Sequence, residues 1–122
     1  MNGRILHGRR ILLVEDEYLQ AMDAKRWLEE AGAEVVGPTG HADDIPSLLH
    51  GSAIDAAVVD INLGKGANFS VAHMLQSRGV PFLFLTGYDC NSIPGEMSQV
   101  PRLAKPADER KVIDVVRGLI AA

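Results

Sequence analysis

Cysteine is nearly absent, with Cys90 the only one in 122 residues. That excludes an internal disulfide and a cysteine-based zinc site. With no plausible histidine partner, Cys90 is expected to lie idle in a polar loop rather than act as a nucleophile. Basic clusters are few and short (Arg9-Arg10 and Arg110-Lys111), and the net charge is −4. A nucleic-acid-binding face is not expected, because phosphate contacts need clustered Lys and Arg. His7, His41, His50 and His73 show no ligand spacing and are expected at the surface or at helix ends. No apolar run approaches the roughly 20 residues needed to span a bilayer, and Met1 to Gly8 lacks a signal-peptide core. The expectation is a cytoplasmic protein without a membrane partner. Repeats, linkers and low-complexity segments are also missing. With 47% hydrophobic and 23% charged residues, positions 1–122 are expected to form one domain around a well-filled core.

What the chain does contain is an alternation of apolar runs and helical patterns. Arg9 to Val14 reads as a strand, ended by the acidic pair Glu15-Asp16. A helix opens at Asp16 or Glu17 and runs through Ala31, where Gly32 stops it. Its stripe is Ala21, Ala24, Leu28 and Ala31, with Trp27 on the border. Leu19 and Met22 fall off the stripe, so they are either partly buried at the helix start or a partner-docking edge. Ala33 to Gly37 reads as a second strand, and His41 to His50 as a helix with Ile45, Leu48 and Leu49 apolar. Ile54 to Asp60 lacks alternation, as a strand covered on both faces does. A Gly-rich loop (Asn62 to Asn68), a helix from about Phe69 to Ser77 and a strand from Val80 to Thr86 follow. From Gly87 to Gln99 any helix would be short and marginal. Val100 to Ala104 is an edge strand containing Pro101. Asp108 can cap a last helix whose Val112, Val115, Val116, Leu119 and Ile120 share a face.

Five strands alternating with five helical segments predict an α/β fold, a parallel sheet covered on both faces. Such sheets bind ligands beyond the carboxyl ends of their strands. Glu15, Asp16, Asp60 and Thr86 lie at those ends, and Lys105 follows the fifth strand. Three carboxylates in one pocket need a cation, and an oxygen-seeking ion of the Mg²⁺ type suits them. Lys105, the Thr86 hydroxyl and a metal are what the oxygens of a phosphoryl group require. Gly87 leaves its backbone open to close approach. Asp60, alone on its strand, is the candidate nucleophile, giving an aspartyl phosphate.

The set Glu15-Asp16, Asp60, Thr86 and Lys105-Pro106 resembles the receiver domain of two-component response regulators, over nearly the whole chain. The resemblance implies a flavodoxin-like, doubly wound sheet in order 2-1-3-4-5 with a weak or irregular fourth helix. It implies Mg²⁺ bound by Glu15, Asp16, Asp60 and the backbone carbonyl of Asn62. Asp60 is then the phosphoacceptor, Thr86 and Lys105 contact the phosphoryl group, and the Lys105-Pro106 bond is cis. Two departures from the family pattern are present. Arg102 stands at the aromatic switch position and cannot repeat the burial of a Tyr or Phe ring. The run Pro81-Phe82-Leu83-Phe84-Leu85-Thr86-Gly87-Tyr88 is similar to the PFxFATGY signature of the FAT GUY subgroup, with Leu85 in place of alanine.

That subgroup implies a sensor histidine kinase of HWE/HisKA2 type, or a phosphotransfer protein, as phosphodonor. A downstream protein partner and a phosphorylation-dependent dimer complete the expected partners. Beyond self-phosphorylation and slow autodephosphorylation no enzymatic activity is expected. Tyr88, at the pocket rim, either packs into the core or shields the phosphoryl group from water. A haloacid-dehalogenase-type phosphohydrolase would need a second Asp where Asn62 stands, and a dinucleotide-binding domain would need glycines where Glu15-Asp16-Glu17 stand. The remaining alternative is a receiver-like interaction module that is not phosphorylated.

Overall fold

A computed structural model describes residues 5–51, 53–61, 69–87 and 93–121. Five strands form one parallel sheet: β1 (Arg10–Val14), β2 (Glu34–Thr39), β3 (Ala56–Asp60), β4 (Phe82–Thr86) and β5 (Arg102–Ala104), in the order β2-β1-β3-β4-β5. Four α-helices accompany them: α1 (Tyr18–Glu30), α2 (Ile45–His50), α3 (Ser70–Ser77) and α4 (Glu109–Ala121). This is the flavodoxin-like layout expected from the sequence. The chain goes from β1 outward to β2, then crosses back to β3 on the other side of β1. β1 and β3 therefore lead to helices on opposite faces, α1 and α3, and their carboxyl ends mark the switch point at which such sheets bind ligands.

The apolar runs of β1, β3 and β4 are buried throughout apart from Arg10, yet they serve two faces by strict alternation. Ile11, Leu13, Ala56, Val58, Leu83 and Leu85 pack with Ala24 and Leu28 of α1 and Val112 and Val116 of α4. Leu12, Val14, Ala57, Val59, Phe82 and Phe84 pack on the opposite face with Ile45, Leu49, Val71 and Leu75 of α2 and α3. Period 2 within an unbroken apolar stretch is what a doubly covered strand requires. Each large side chain fully buried this way contributes roughly 1.5–3 kcal/mol. Phe84 anchors the second face, edge-on to Phe69 and to Phe82.

Helix α1 starts where Glu17 accepts a hydrogen bond from the Gln20 N–H. It stops where Gly32 turns to φ 101°, letting Ala33 N–H reach the Leu28 carbonyl. Several sequence-based bounds are corrected. The second strand does not end at Gly37 but continues through Pro38 to Thr39. Gly37 takes φ 100° at an irregularity in the β1–β2 ladder, and the Gly37-Pro38 bond is cis. A Gly-Pro pair reads as a terminator, but on an edge strand it is absorbed as a bulge. The third strand starts at Ala56, not Ile54. Prolines trim the other edge: the fourth and fifth strands begin after Pro81 and Pro101, whose carbonyls still accept from Ala57 and Phe84.

Position 41–50 divides into a 3₁₀ turn (Ala42–Asp44) and the short α2. Between 93 and 101 the described residues hold only a 3₁₀ turn, Gly95–Met97, in keeping with the weak helix signal there. Asp108 caps the last helix through Lys111 N–H, and Ile113 joins its buried face. Leu19 is 68% exposed and Tyr18 70%, so Leu19 is not partly buried. Met22 is half-buried. All four histidines are exposed. No helix among the described residues is long and apolar enough to cross a membrane.

Candidate functional site

Backbone ladders fix Glu15, Asp60, Thr86 and Lys105. The Glu15 N–H donates to the Thr39 carbonyl at 2.8 Å, carrying the β1–β2 pairing one step past the strand. Asp60 closes β3 opposite Leu85, and Ile61 N–H then donates to the Leu85 carbonyl. Thr86 closes β4, and its carbonyl accepts the Lys105 N–H at 2.8 Å, which ties Lys105 to the same edge. The Lys105-Pro106 bond is cis, as expected.

These constraints bring four of the predicted side chains into one cluster. Carboxylate oxygens of Glu15, Asp16 and Asp60 lie within 4.8 Å of one another. Lys105 Nζ sits 2.9 Å from Asp60 Oδ2 and 3.0 Å from Glu15 Oε1. Thr86 is buried at the end of the neighbouring strand. Glu15 and Asp60 are buried, Asp16 is exposed, and the Lys105 side chain is 18% exposed. Asn62, Tyr88 and Cys90 lie outside the described residues.

Three carboxylates face one ammonium. Removing such charges from water costs several kcal/mol per ion unless partners compensate. Burial pushes the Glu15 carboxyl up to about 7; Asp60 reinforces the rise, while the Glu17 N–H and Lys105 oppose it. For Lys105 burial acts downward, but bonding to Asp60 and Glu15 outweighs it and the amine is raised above its ordinary value. Glu15 Oε2 accepts from Glu17 N–H at 3.0 Å. Oε1, though buried, has no hydrogen bond, only the 3.0 Å ion pair with Lys105, whose ammonium donates instead to Oε2 at 3.4 Å. An under-coordinated buried oxygen beside two further carboxylates is a donor set that fits a hard divalent cation.

A groove of about 630 Å³ lies elsewhere, between Ile5, Trp27 and Ile113. It is not the chemical centre, since it contains none of the clustered carboxylates. Sequence reasoning did not find the turn behind Asp16. Thr39 and Gly40 back directly onto the acidic pair, and the only signal was the pair of glycines around Pro38-Thr39.

Fold and site together define a doubly wound α/β domain with an acidic, lysine-bridged pocket at its switch point. No family model matches the chain. A solved structure of SdrG from Sphingomonas melonis Fr1 is 33% identical, with a TM-score of 0.78, over 92% of this chain and 96% of that one. A response regulator receiver protein from Sinorhizobium medicae WSM419 is 26% identical, with a TM-score of 0.75, over 93% and 95%. The sensory transduction protein LytT of Bacillus cereus is 27% identical over 112 residues, 88% of this chain and 46% of LytT. The chain spans less than half the length of the curated relatives it matches. It belongs to the receiver-domain family of response regulators.

Proposed function

We propose that the chain is a phosphoacceptor receiver in which Asp60 takes a phosphoryl group from the phosphohistidine of a histidine kinase or phosphotransfer protein. An Asp60 carboxylate oxygen attacks phosphorus, the P–N bond breaks, and the departing imidazole recovers a proton. The observation that carries this reading is the placement of Asp60: buried at the end of its strand, 2.9 Å from Lys105 Nζ and clustered with Glu15 and Asp16. Lys105 is positioned to neutralise one phosphoryl oxygen, and the Thr86 hydroxyl to donate to another. Glu15, Asp16 and Asp60 would hold Mg²⁺, together with the carbonyl of Asn62 that the family resemblance implies. When bound, the ion offsets the charge of the carboxylates and of the phosphoryl oxygens.

The reading extends to the FAT GUY subgroup, supported by Pro81 to Tyr88 and by an exposed Arg102 on the edge strand, which leaves no aromatic ring to bury there. A donor of HWE/HisKA2 type follows from that subgroup. Exposed Tyr18 and Leu19 beside Asp16 form the edge on which the donor docks. Output runs through altered contacts of the segment after Gly87, β5 and α4, including a phosphorylation-dependent dimer. The catalytic role is limited to self-phosphorylation and slow autodephosphorylation.

Phosphotransfer from a histidine kinase in the presence of Mg²⁺ tests the proposal, comparing wild type with Asp60→Asn. Label is expected on the wild type alone. Transfer that persists in the variant refutes Asp60 as acceptor, and a wild type that takes no label favours an unphosphorylated interaction module.

A further inference from the structure

Asp16 differs from the other clustered carboxylates in being exposed; no strand contains it and no core holds it. What stands behind it is the turn that leaves β2. A Cβ built on Gly40 would lie 2.5 Å from Asp16 Cβ and 2.8 Å from Asp16 Cα. Distances below about 3 Å are not met by real Cβ atoms, and neither neighbour is the yielding tip of a long side chain. Gly40 does not have a positive φ, unlike Gly37, so its backbone conformation is open to alanine. The requirement at position 40 is one of space.

The turn itself has little freedom to retreat. Its Thr39 carbonyl accepts the Glu15 N–H at 2.8 Å. The Thr39 hydroxyl donates to Asp44 Oδ2 at 2.7 Å and accepts the His41 N–H at 3.2 Å. A methyl group added at position 40 therefore presses on Asp16 Cβ and Cα and shifts the carboxylate within the cluster it forms with Glu15 and Asp60. We infer that Gly40 is a positioning residue: its bare backbone is the back wall that sets where the Asp16 carboxylate stands. The inference rests on the reading of Asp16 as a Mg²⁺ ligand and adds a residue that touches neither metal nor phosphoryl group.

The test compares wild type, Gly40→Ala, Gly51→Ala and Asp16→Asn by proton–nitrogen NMR, metal-free and during Mg²⁺ titration. Gly51 is the control, since a Cβ there meets nothing within 4 Å. Loss of a supporting contact around metal ligands typically weakens metal binding about 10–100-fold, and Gly40→Ala is expected to weaken Mg²⁺ binding at least about tenfold with the sheet amide pattern retained. Gly51→Ala should bind as wild type. A merely structural glycine would lower the melting temperature and leave Mg²⁺ affinity unchanged, which overturns the proposal. In the metal-free protein the Asp16 amide should shift in Gly40→Ala while that of Ile61 does not; an unmoved Asp16 amide also overturns it. Asp16→Asn separates the two levels: unchanged Mg²⁺ affinity there refutes Asp16 as a ligand, and the amide shift still decides the role of Gly40. Should Gly40→Ala alone fail to fold, the double variant Gly40→Ala, Asp16→Gly removes the 2.5 Å contact and keeps the 2.8 Å approach to the Cα of position 16, and is expected to regain folding in part, read as a partial return of the sheet amide pattern. A double variant no better folded than the single one refutes the contact as the cause.

Discussion

Proton and cation compete for Glu15, and the competition has a calculable size. Burial, reinforced by Asp60, sets the Glu15 carboxyl at about 7 in the metal-free protein, against 4.5 for an ordinary glutamate. Holding a divalent cation requires the ionised carboxylate. With a pKa of about 7, the ionised fraction rises from roughly a tenth at pH 6 to roughly nine tenths at pH 8, so Mg²⁺ affinity should rise about tenfold. Lys105, raised above its ordinary value of 10.5, stays charged across this window and adds nothing to the slope. The same carboxyl sets a stability trend in the absence of metal. Its native pKa lies above its unfolded one, so its contribution is complete below about 4.5 and is lost as pH climbs through about 7. The change is at most about 3 kcal/mol. Mg²⁺ titrations followed by the amide shifts of Ile61 and Thr86, at pH 6, 7 and 8, measure the slope directly. Glu15→Gln should bind Mg²⁺ more weakly but with a flat pH profile. A wild-type affinity independent of pH, or a full slope surviving in Glu15→Gln, refutes the argument.

Lys105→Met removes the ammonium that bridges Asp60 and Glu15. It should destabilise the metal-free fold at pH 8 by about 1–3 kcal/mol, less than a fully buried pair would lose because the pocket opens to water. Chemical denaturation reads this, and saturating Mg²⁺ should recover much of the loss. Phe84→Ala deletes the largest fully buried side chain among the described residues and should cost about 3–5 kcal/mol, visible as a lower denaturant midpoint with the pocket chemistry retained. Leu19→Ser, on the exposed turn of α1, should change stability by no more than about 0.5 kcal/mol while slowing phosphotransfer from the kinase. Unchanged transfer kinetics would remove that turn from the docking edge.

The strands that carry the pocket were the most legible parts of the chain. β1, β3 and β4 are covered on both faces, so burial writes itself into sequence as unbroken apolar runs, and each run points to the polar residue that ends it. The carboxylates were legible for the same reason: Glu15 and Asp60 stand where apolar character stops. Edge elements follow weaker rules. Gly37-Pro38 marks a chain end in most contexts, yet here the strand bulges and resumes to Thr39. That extension is what brings Gly40 against Asp16, a contact between segments no periodicity relates. Leu19 was ambiguous because apolarity alone does not tell a buried helix face from an exposed turn. The bridging of Glu15 and Asp60 by one lysine was foreseen only as charge balance, not as a geometry.

The pocket draws on three separate strands: Glu15 follows β1, Asp60 ends β3 and Lys105 follows β5. Every link between them is a parallel pairing distant in sequence. Parallel pairings form late, because chain closure must precede any gain from contact. No partly folded chain that lacks β5 can present Lys105 to Asp60. A cation held by Glu15, Asp16 and Asp60 would need only β1 and β3 paired, and by mass action would favour chains that have joined those strands. The pocket is in this sense built in two stages: pairing of β1 with β3 gathers the carboxylates, and the arrival of β5 adds the ammonium that balances them.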